Sequence, residues 1–338
     1  MQVDSVYHLV NVDRRTKKNG EPYFMLTLSD ASGTAGAIMW EGHGGLVSGA
    51  VSQDDFVRVG GEAGEYNGSL QLTLKKISRV EDSTVDISAF LPVSPRSRAE
   101  MEVELDGWLA KVTDKDCLRL LDRLLRHARI RDLYCCAPAA QRVHQAYIHG
   151  LLEHTLNVMR LAWSIADVYE PINRSLLITG ALLHDIGKIR EMDWHRTITY
   201  TTEGRLMGHI SIGASMVDAV INELRRKEDF DRDLQMQILH MILSHHGKLE
   251  YGSPVVPKMR EALVLHYADH CEAYMAAFTT EIGKAIDRGD TWTPYNKMFE
   301  SYLYAGPQPG KSVPPGEAVP RFRTEEKSNP IEDISTIR

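Results

Sequence analysis

The chain has 338 residues, of which 43% are hydrophobic and 25% charged, and a formal net charge of −7 at pH 7. That length predicts two domains rather than one small core, and the negative charge argues against a dedicated duplex-DNA binder, though a bound metal would still let the chain receive an anionic substrate. Short, charge-broken apolar runs predict no membrane span, the N-terminus does not read as a secretion signal, and four cysteines without a zinc or disulfide spacing point to a reducing cytoplasm.

Residues 1–85 read as strands. Val6–Val12, Tyr23–Ser29, Ala35–Trp40, Phe56–Gly61 and Leu70–Ile77 are rich in β-branched and aromatic residues, and Lys18-Asn19-Gly20, Asp30-Ala31-Ser32-Gly33 and Tyr66-Asn67-Gly68 supply turns between them. Leu70, Leu72 and Leu74 alternate with Gln71, Thr73 and Lys75, as a half-buried strand requires. Five short strands, with a Gly-rich stretch at 41–49, suit an all-β barrel of the OB type. Residues 86–99 carry Pro92, Pro95 and several serines and read as a linker. From 100 to 304 the apolar period becomes helical, predicting an all-α bundle. Leu151–Val168, Leu176–Ile189, His209–Leu224, Leu234–His246 and Met259–Ile286 each show an inward-facing stripe, with Asn173 and Asp233 as expected N-caps. Residues 305–338, rich in Pro, Gly and charge, read as a mobile tail.

The placement of the 14 histidines carries the chemistry. His154 lies inside one predicted helix. His184-Asp185 follows thirty positions later, His209 opens the next helix, His245-His246 ends the one after, and Asp269 sits within the last. Each is an imidazole or carboxylate among apolar residues. A single buried histidine usually finds a carbonyl. Five or six on separate core-facing helices are better explained by a shared cation, which offsets their desolvation together. A His/Asp set without thiolates suits Mn, Fe, Zn, Ni or Co rather than a Cys-rich structural zinc site.

The segments GLLEHT, ALLHDIGKI, ILSHHGKLEYGSP and LHYADH resemble the H…HD…D signature of HD-domain phosphohydrolases. With the preceding strands, they are similar to the YhaM-type 3′→5′ exoribonucleases, which carry an OB-fold before the HD domain. The resemblance implies a fold of two parts, an N-terminal all-β OB-type barrel and an all-α HD-domain bundle. It implies that His154, His184, Asp185 and Asp269 hold one divalent metal, with manganese the suggested ion. His209 and His245 would let a second be held, with Asp185 bridging. His246 is a further ligand or a supporting group, and His144 is a weaker candidate of the same kind. His149 stands where the family pattern has a small residue, and is expected at the surface. Lys188, three positions after Asp185, lies on nearly the same helical face. It is a candidate to meet a substrate phosphate, a solvated lysine being the bland alternative. After His245-His246, a Gly/Pro-rich loop presents Lys248 and Tyr251 as candidate substrate contacts.

The expected reaction is metal-assisted hydrolysis of phosphodiester bonds in single-stranded RNA, single-stranded DNA being the other possible strand. No phosphate loop of the G-x-x-x-x-G-K-[ST] kind is present, which argues against an NTP-driven motor. In the barrel, Arg14, Arg15, Lys17 and Lys18, then Lys75 and Lys76, together with Tyr23 and Trp40, are candidate strand contacts. Residues 1–85 hold 8 basic against 11 acidic residues, so a modest, salt-dependent grip is expected. Two other functions fit parts of the pattern: an HD-domain nucleotide phosphohydrolase or cyclic-dinucleotide phosphodiesterase, and a nucleic-acid-binding protein without catalysis. Self-association is left open by the sequence.

Overall fold

A computed structural model describes residues 1–40, 51–66, 69–141 and 145–307. Five strands, β1 (Gln2–Thr16), β2 (Pro22–Asp30), β3 (Gly33–Trp40), β4 (Phe56–Tyr66) and β5 (Ser69–Arg79), close into a barrel in the order β1-β2-β3-β5-β4. All neighbours are antiparallel except β3 and β5. This is the five-stranded OB-type arrangement. Leu9, Leu26, Leu28, Met39, Val57, Val59, Leu72 and Leu74 fill its interior. Leu70 departs from the expected alternation. It lies at the start of β5, opposite Glu65, and is exposed. The Gly-rich stretch at 41–49 falls outside the described residues.

The barrel is tightly closed at one point. The register of β4 against β5 shifts between Gly60 and Gly61. A Cβ on Gly61 would lie 2.3 Å from the Thr73 carbonyl oxygen. The residues expected as a linker are packed. Phe90 is buried against Phe56, ring centroids 4.8 Å apart, and the Ser94 N–H donates to the Ile148 carbonyl.

Helices follow: α1 (Arg98–Leu109), α2 (Lys115–Leu125), α3 (Ala128–Cys136), α4 (Gly150–Val168), α5 (Arg174–Leu183), α6 (Lys188–Glu191), α7 (Thr202–Arg225), α8 (Arg232–Ser244) and α9 (Arg260–Arg288). A two-stranded hairpin, β6 (Met192–Asp193) and β7 (Thr199–Tyr200), separates α6 from α7. Helix α5 is buried on every side from Ser175 to Leu183, as a helix apolar all round must be. Tyr134 ties its surroundings together: its hydroxyl donates to the Leu182 carbonyl at 2.8 Å and lies 3.1 Å from Thr155 Oγ1.

Three local readings of the sequence need correction. The N-cap of α8 is Asp231, whose carboxylate accepts from the N–H groups of Asp233 and Leu234; Asp233 itself is helical. Asn173 caps α5 as expected, accepting from the Leu176 N–H. The stretch Leu176–Ile189 is not one helix. It breaks after Leu183, and residues 184–187 turn before α6. Helix α7 begins seven residues before His209 and bends at Gly208, whose φ is 69°.

The described residues 278–307 belong to a second compact unit. Its described part holds the end of α9 and an irregular segment closed by the bridges Trp292–Tyr304 and Asn296–Ser301. The expected tail falls outside the described residues from 308 onward. Among the described residues no helix is long and apolar enough to cross a membrane.

Gly61→Ala should strain the barrel closure and cost about 1–3 kcal/mol. Gly36→Ala, with nothing within 4 Å of the added carbon, serves as the control. A denaturant midpoint lowered only by the first substitution is the expected result.

Candidate metal centre

The site is assembled from the ends and bends of helices. His184 is the C-cap residue of α5 and His245 that of α8. His209 follows the Gly208 bend in α7. His154 and Asp269 lie within α4 and α9. Two groups result, each with its ligand atoms within 4.8 Å of one another: His154, His184 and Asp269, and His209, His245 and His246. Asp185 joins them. Its Oδ2 is 3.5 Å from His154 Nε2 and 3.3 Å from His184 Nε2, while its Oδ1 is 3.4 Å from His209 Nε2 and 3.7 Å from His245 Nε2. One carboxylate thus turns one oxygen to each group.

Every imidazole is held by its Nδ1. His154 Nδ1 donates to Glu272 Oε2 at 2.5 Å and His209 Nδ1 to Glu191 Oε1 at 3.1 Å. His184 donates to the Ala181 carbonyl, His245 to the Ile242 carbonyl and His246 to the Tyr251 carbonyl, at 2.8, 2.7 and 2.8 Å. With Nδ1 protonated, the neutral ring keeps its lone pair on Nε2. That is the tautomer a metal ligand needs. Asp185 Oδ1, His209 Nε2 and His245 Nε2 are moreover buried with no hydrogen-bond partner. Such atoms are costly unless a cation satisfies them. The donor set therefore fits a divalent metal.

Glu272 and Glu191 were not singled out from the sequence. Glu272 is buried and also accepts from Gln145 at 2.5 Å and Asn157 at 3.0 Å. Glu191 accepts a second time, from the His209 backbone N–H at 2.9 Å, a group the Gly208 bend leaves outside the helical ladder. One signal was available. Glu272 lies three positions after Asp269, on the same face of α9.

Charge follows this geometry. Burial opposes ionisation of Glu272 and Glu191, yet the histidine each one holds keeps its pKa below the ordinary value. Burial likewise opposes the charge on Asp185, but Lys188 and His184 hold it well below the carboxylate range. His154 is pulled down by burial and pushed up more strongly by Asp269 and Glu272, to about 10. His245 is driven well below the usual imidazole value by burial and by His184 and His246. His246 is lowered too, by burial and by His209.

The other candidates divide. Lys188 is not solvated. It is buried, and its Nζ sits 2.6 Å from Asp185 Oδ2. His149 is only half exposed. It occupies a left-handed position (φ 69°), where a small residue is favoured, and its Nδ1 donates to the Cys135 carbonyl. His144 lies outside the described residues. Tyr251 is exposed beside the centre, with Lys248 Nζ 5.3 Å from its ring centre. In the barrel, Tyr23 and Trp40 pair across β2 and β3 with rings 5.5 Å apart, and Lys17 Nζ lies 4.2 Å from the Trp40 ring. Several barrel cations already face acids: Lys17 with Glu21, Arg15 with Asp13 and Lys75 with Glu62. Arg14, Lys18 and Lys76 are exposed.

Residues 151–274 match the family model for the HD domain. The fold and site thus define an HD-domain protein preceded by an OB-type barrel. The chain is 34% identical over 277 residues to the 3′-5′ exoribonuclease YhaM of Bacillus velezensis, covering 81% of this chain and 85% of that protein. It is 35% identical over 302 residues to YhaM of Listeria innocua, covering 84% and 92%. The chain belongs to the YhaM 3′-5′ exoribonuclease family.

Glu272→Gln and Glu191→Gln should each weaken metal retention by about 10–100-fold, because each removes the anion that orients one ligand. Elemental analysis after graded chelation reads the effect. Gly187→Ala should do the same by a different route, since its Cβ would lie 2.0 Å from the His209 carbonyl oxygen and force α7 away from Asp185.

Proposed function

We propose that this protein is a metal-dependent 3′→5′ exonuclease that hydrolyses single-stranded RNA in the cytoplasm. His154, His184, Asp185 and Asp269 hold one ion and His209, His245 and His246 a second, with Asp185 shared and manganese the native metal. The observation that carries this reading is Asp185, whose two oxygens face two separate clusters of imidazole Nε2 atoms. A bound divalent cation supplies a water nucleophile at neutral pH and offsets charge on the phosphate.

The chain's own groups do the rest. Lys188, fixed on Asp185 Oδ2, keeps that carboxylate ionised and oriented as the shared ligand. The Nδ1 tethers hold the rings so that none has to turn when substrate arrives. Helices α4, α5, α8 and α9 exclude bulk water from the floor of the site, where His154, His184 and His245 are buried. The barrel offers Tyr23, Trp40 and Lys17 as a stacking and charged surface for more distant nucleotides.

The test is digestion of a 5′-labelled single-stranded RNA. A ladder of shortened 5′ fragments is expected, lost on chelation and restored by Mn. His184→Ala with Asp185→Ala should reduce it to background. Turnover of mononucleotides or cyclic dinucleotides alone would instead assign a different phosphohydrolase, and undiminished RNA turnover in the double variant would place the reaction elsewhere. Trp40→Ala should raise KM about tenfold for strands long enough to reach the barrel, and not for dinucleotides.

A further inference from the structure

The rim of the metal centre carries rings that the hydrophobic core does not use. Tyr251 is 47% exposed and Tyr267 58%, and neither belongs to the packed cluster of the helical domain. Tyr251 and His270 present nearly parallel faces, 9° apart, with centroids separated by 6.3 Å. Behind His270 lie Tyr274, at 4.2 Å, and His266, at 5.8 Å.

These rings are fixed to the centre itself. The carbonyl of Tyr251 receives the Nδ1 hydrogen of His246. His270 follows Asp269 in the chain. His266 Nδ1 donates to the His245 carbonyl at 2.9 Å, and its ring fills the space where a Cβ on Gly247 would be. The tight turn Leu249–Tyr251 ends on Gly252 in a left-handed conformation, φ 87°. The same turn brings in Lys248, with its ammonium beside the Tyr251 ring. An exposed tyrosine paired with a half-buried histidine, next to atoms suited to a phosphate-binding cation, presents π faces and one positive charge. A nucleobase attached to a phosphate is the ligand that uses both.

We propose that Tyr251 and His270 form the seat of the 3′-terminal nucleobase, with Lys248 directed to the strand's phosphates. The assignment rests on the exonuclease reading and deepens it. Stacking is tolerant of sequence because every base has a π face, so the seat accepts all four bases and registers the end of the strand rather than its identity. It also explains a loop whose Gly and Pro residues leave Tyr251 uncovered.

The experiment compares two single-stranded RNA oligomers of equal length, one ending in an ordinary 3′ nucleotide and one in a 3′-abasic nucleotide, with the full chain loaded with Mn. Wild type should show a KM about tenfold higher for the abasic oligomer. Tyr251→Leu and His270→Leu should each raise KM for the ordinary oligomer by a similar factor while adding little for the abasic one. Tyr251→Phe, which keeps a ring, should retain most of the affinity. Metal content by elemental analysis should match wild type in all three variants, showing that His246 and Asp269 are undisturbed. Equal KM for the two oligomers in wild type overturns the seat. So does an unchanged KM in both Leu variants, or a loss of equal size on both oligomers. Failure of wild type to shorten either oligomer would sink the exonuclease reading itself.

Discussion

The centre depends on one repeated hydrogen bond, from the Nδ1 of each histidine to an acceptor that cannot move. Five rings are held in this way. Three use main-chain carbonyls and two use buried carboxylates. The difference follows from where each ring sits. His184 and His245 are at helix C-caps, where carbonyls lack helical partners, and each ring turns back onto the carbonyl three residues earlier. His154 lies inside a helix, where the carbonyls are already engaged, and His209 stands at a helical bend where N–H groups rather than carbonyls are free. Each of those two therefore takes a side-chain acceptor, Glu272 or Glu191.

Holding the rings does not bring them together. That task falls to places where backbones touch. Gly187, two residues after Asp185, packs against the His209 carbonyl and the N–H of Gly213, and a side chain there would separate α7 from the turn that carries Asp185. Gly204 packs as closely on the Glu191 carbonyl. The sequence HDIG thus contains one imidazole of the first group, the carboxylate that faces both groups and, two residues on, the small residue that lets the second group of histidines approach. The break in helix after Leu183 belongs to the same design: residues 184–187 turn, and the turn points Asp185 between the two clusters rather than along α5.

Much of this was legible. The barrel, the helical bundle and the segments whose imidazoles and carboxylates converge follow from period and residue type, since each of these groups is a polar residue in an apolar stripe. What could not be read were the breaks and the supports. Asp231 and Asp233 are equally good caps by residue type, and only the start of the helix chooses between them. Leu176–Ile189 keeps a helical apolar period through its turn, because residues 186 and 189 are buried by the tertiary structure, not by helix geometry. Glu191 and Glu272 look like solvated acids in sequence. They are recognisable as supports only when a histidine from a distant segment lies against them, and that proximity is a product of folding.

The electrostatic balance of the centre resolves the conflict between an acidic chain and an anionic substrate. Asp185, Asp269, Glu191 and Glu272 are four carboxylates converging in one place, all held in their charged form, against the single ammonium of Lys188. Against burial, Asp269 and Glu272 push the pKa of His154 up, so in its protonated form that ring would offset one of them. A phosphate would meet a net negative field in such a place. Bound divalent cations, as proposed above, would reverse that sign, and one held by the Nε2 of His154 would take the place of its proton. Metal uptake would then be coupled to proton release and weaken as the medium becomes more acidic. On that proposal the acidic composition of the chain is no obstacle to binding a nucleic acid strand, because the charge that attracts phosphate would not be the protein's own. It would be concentrated at the metal centre, whereas several cations of the barrel already face acids.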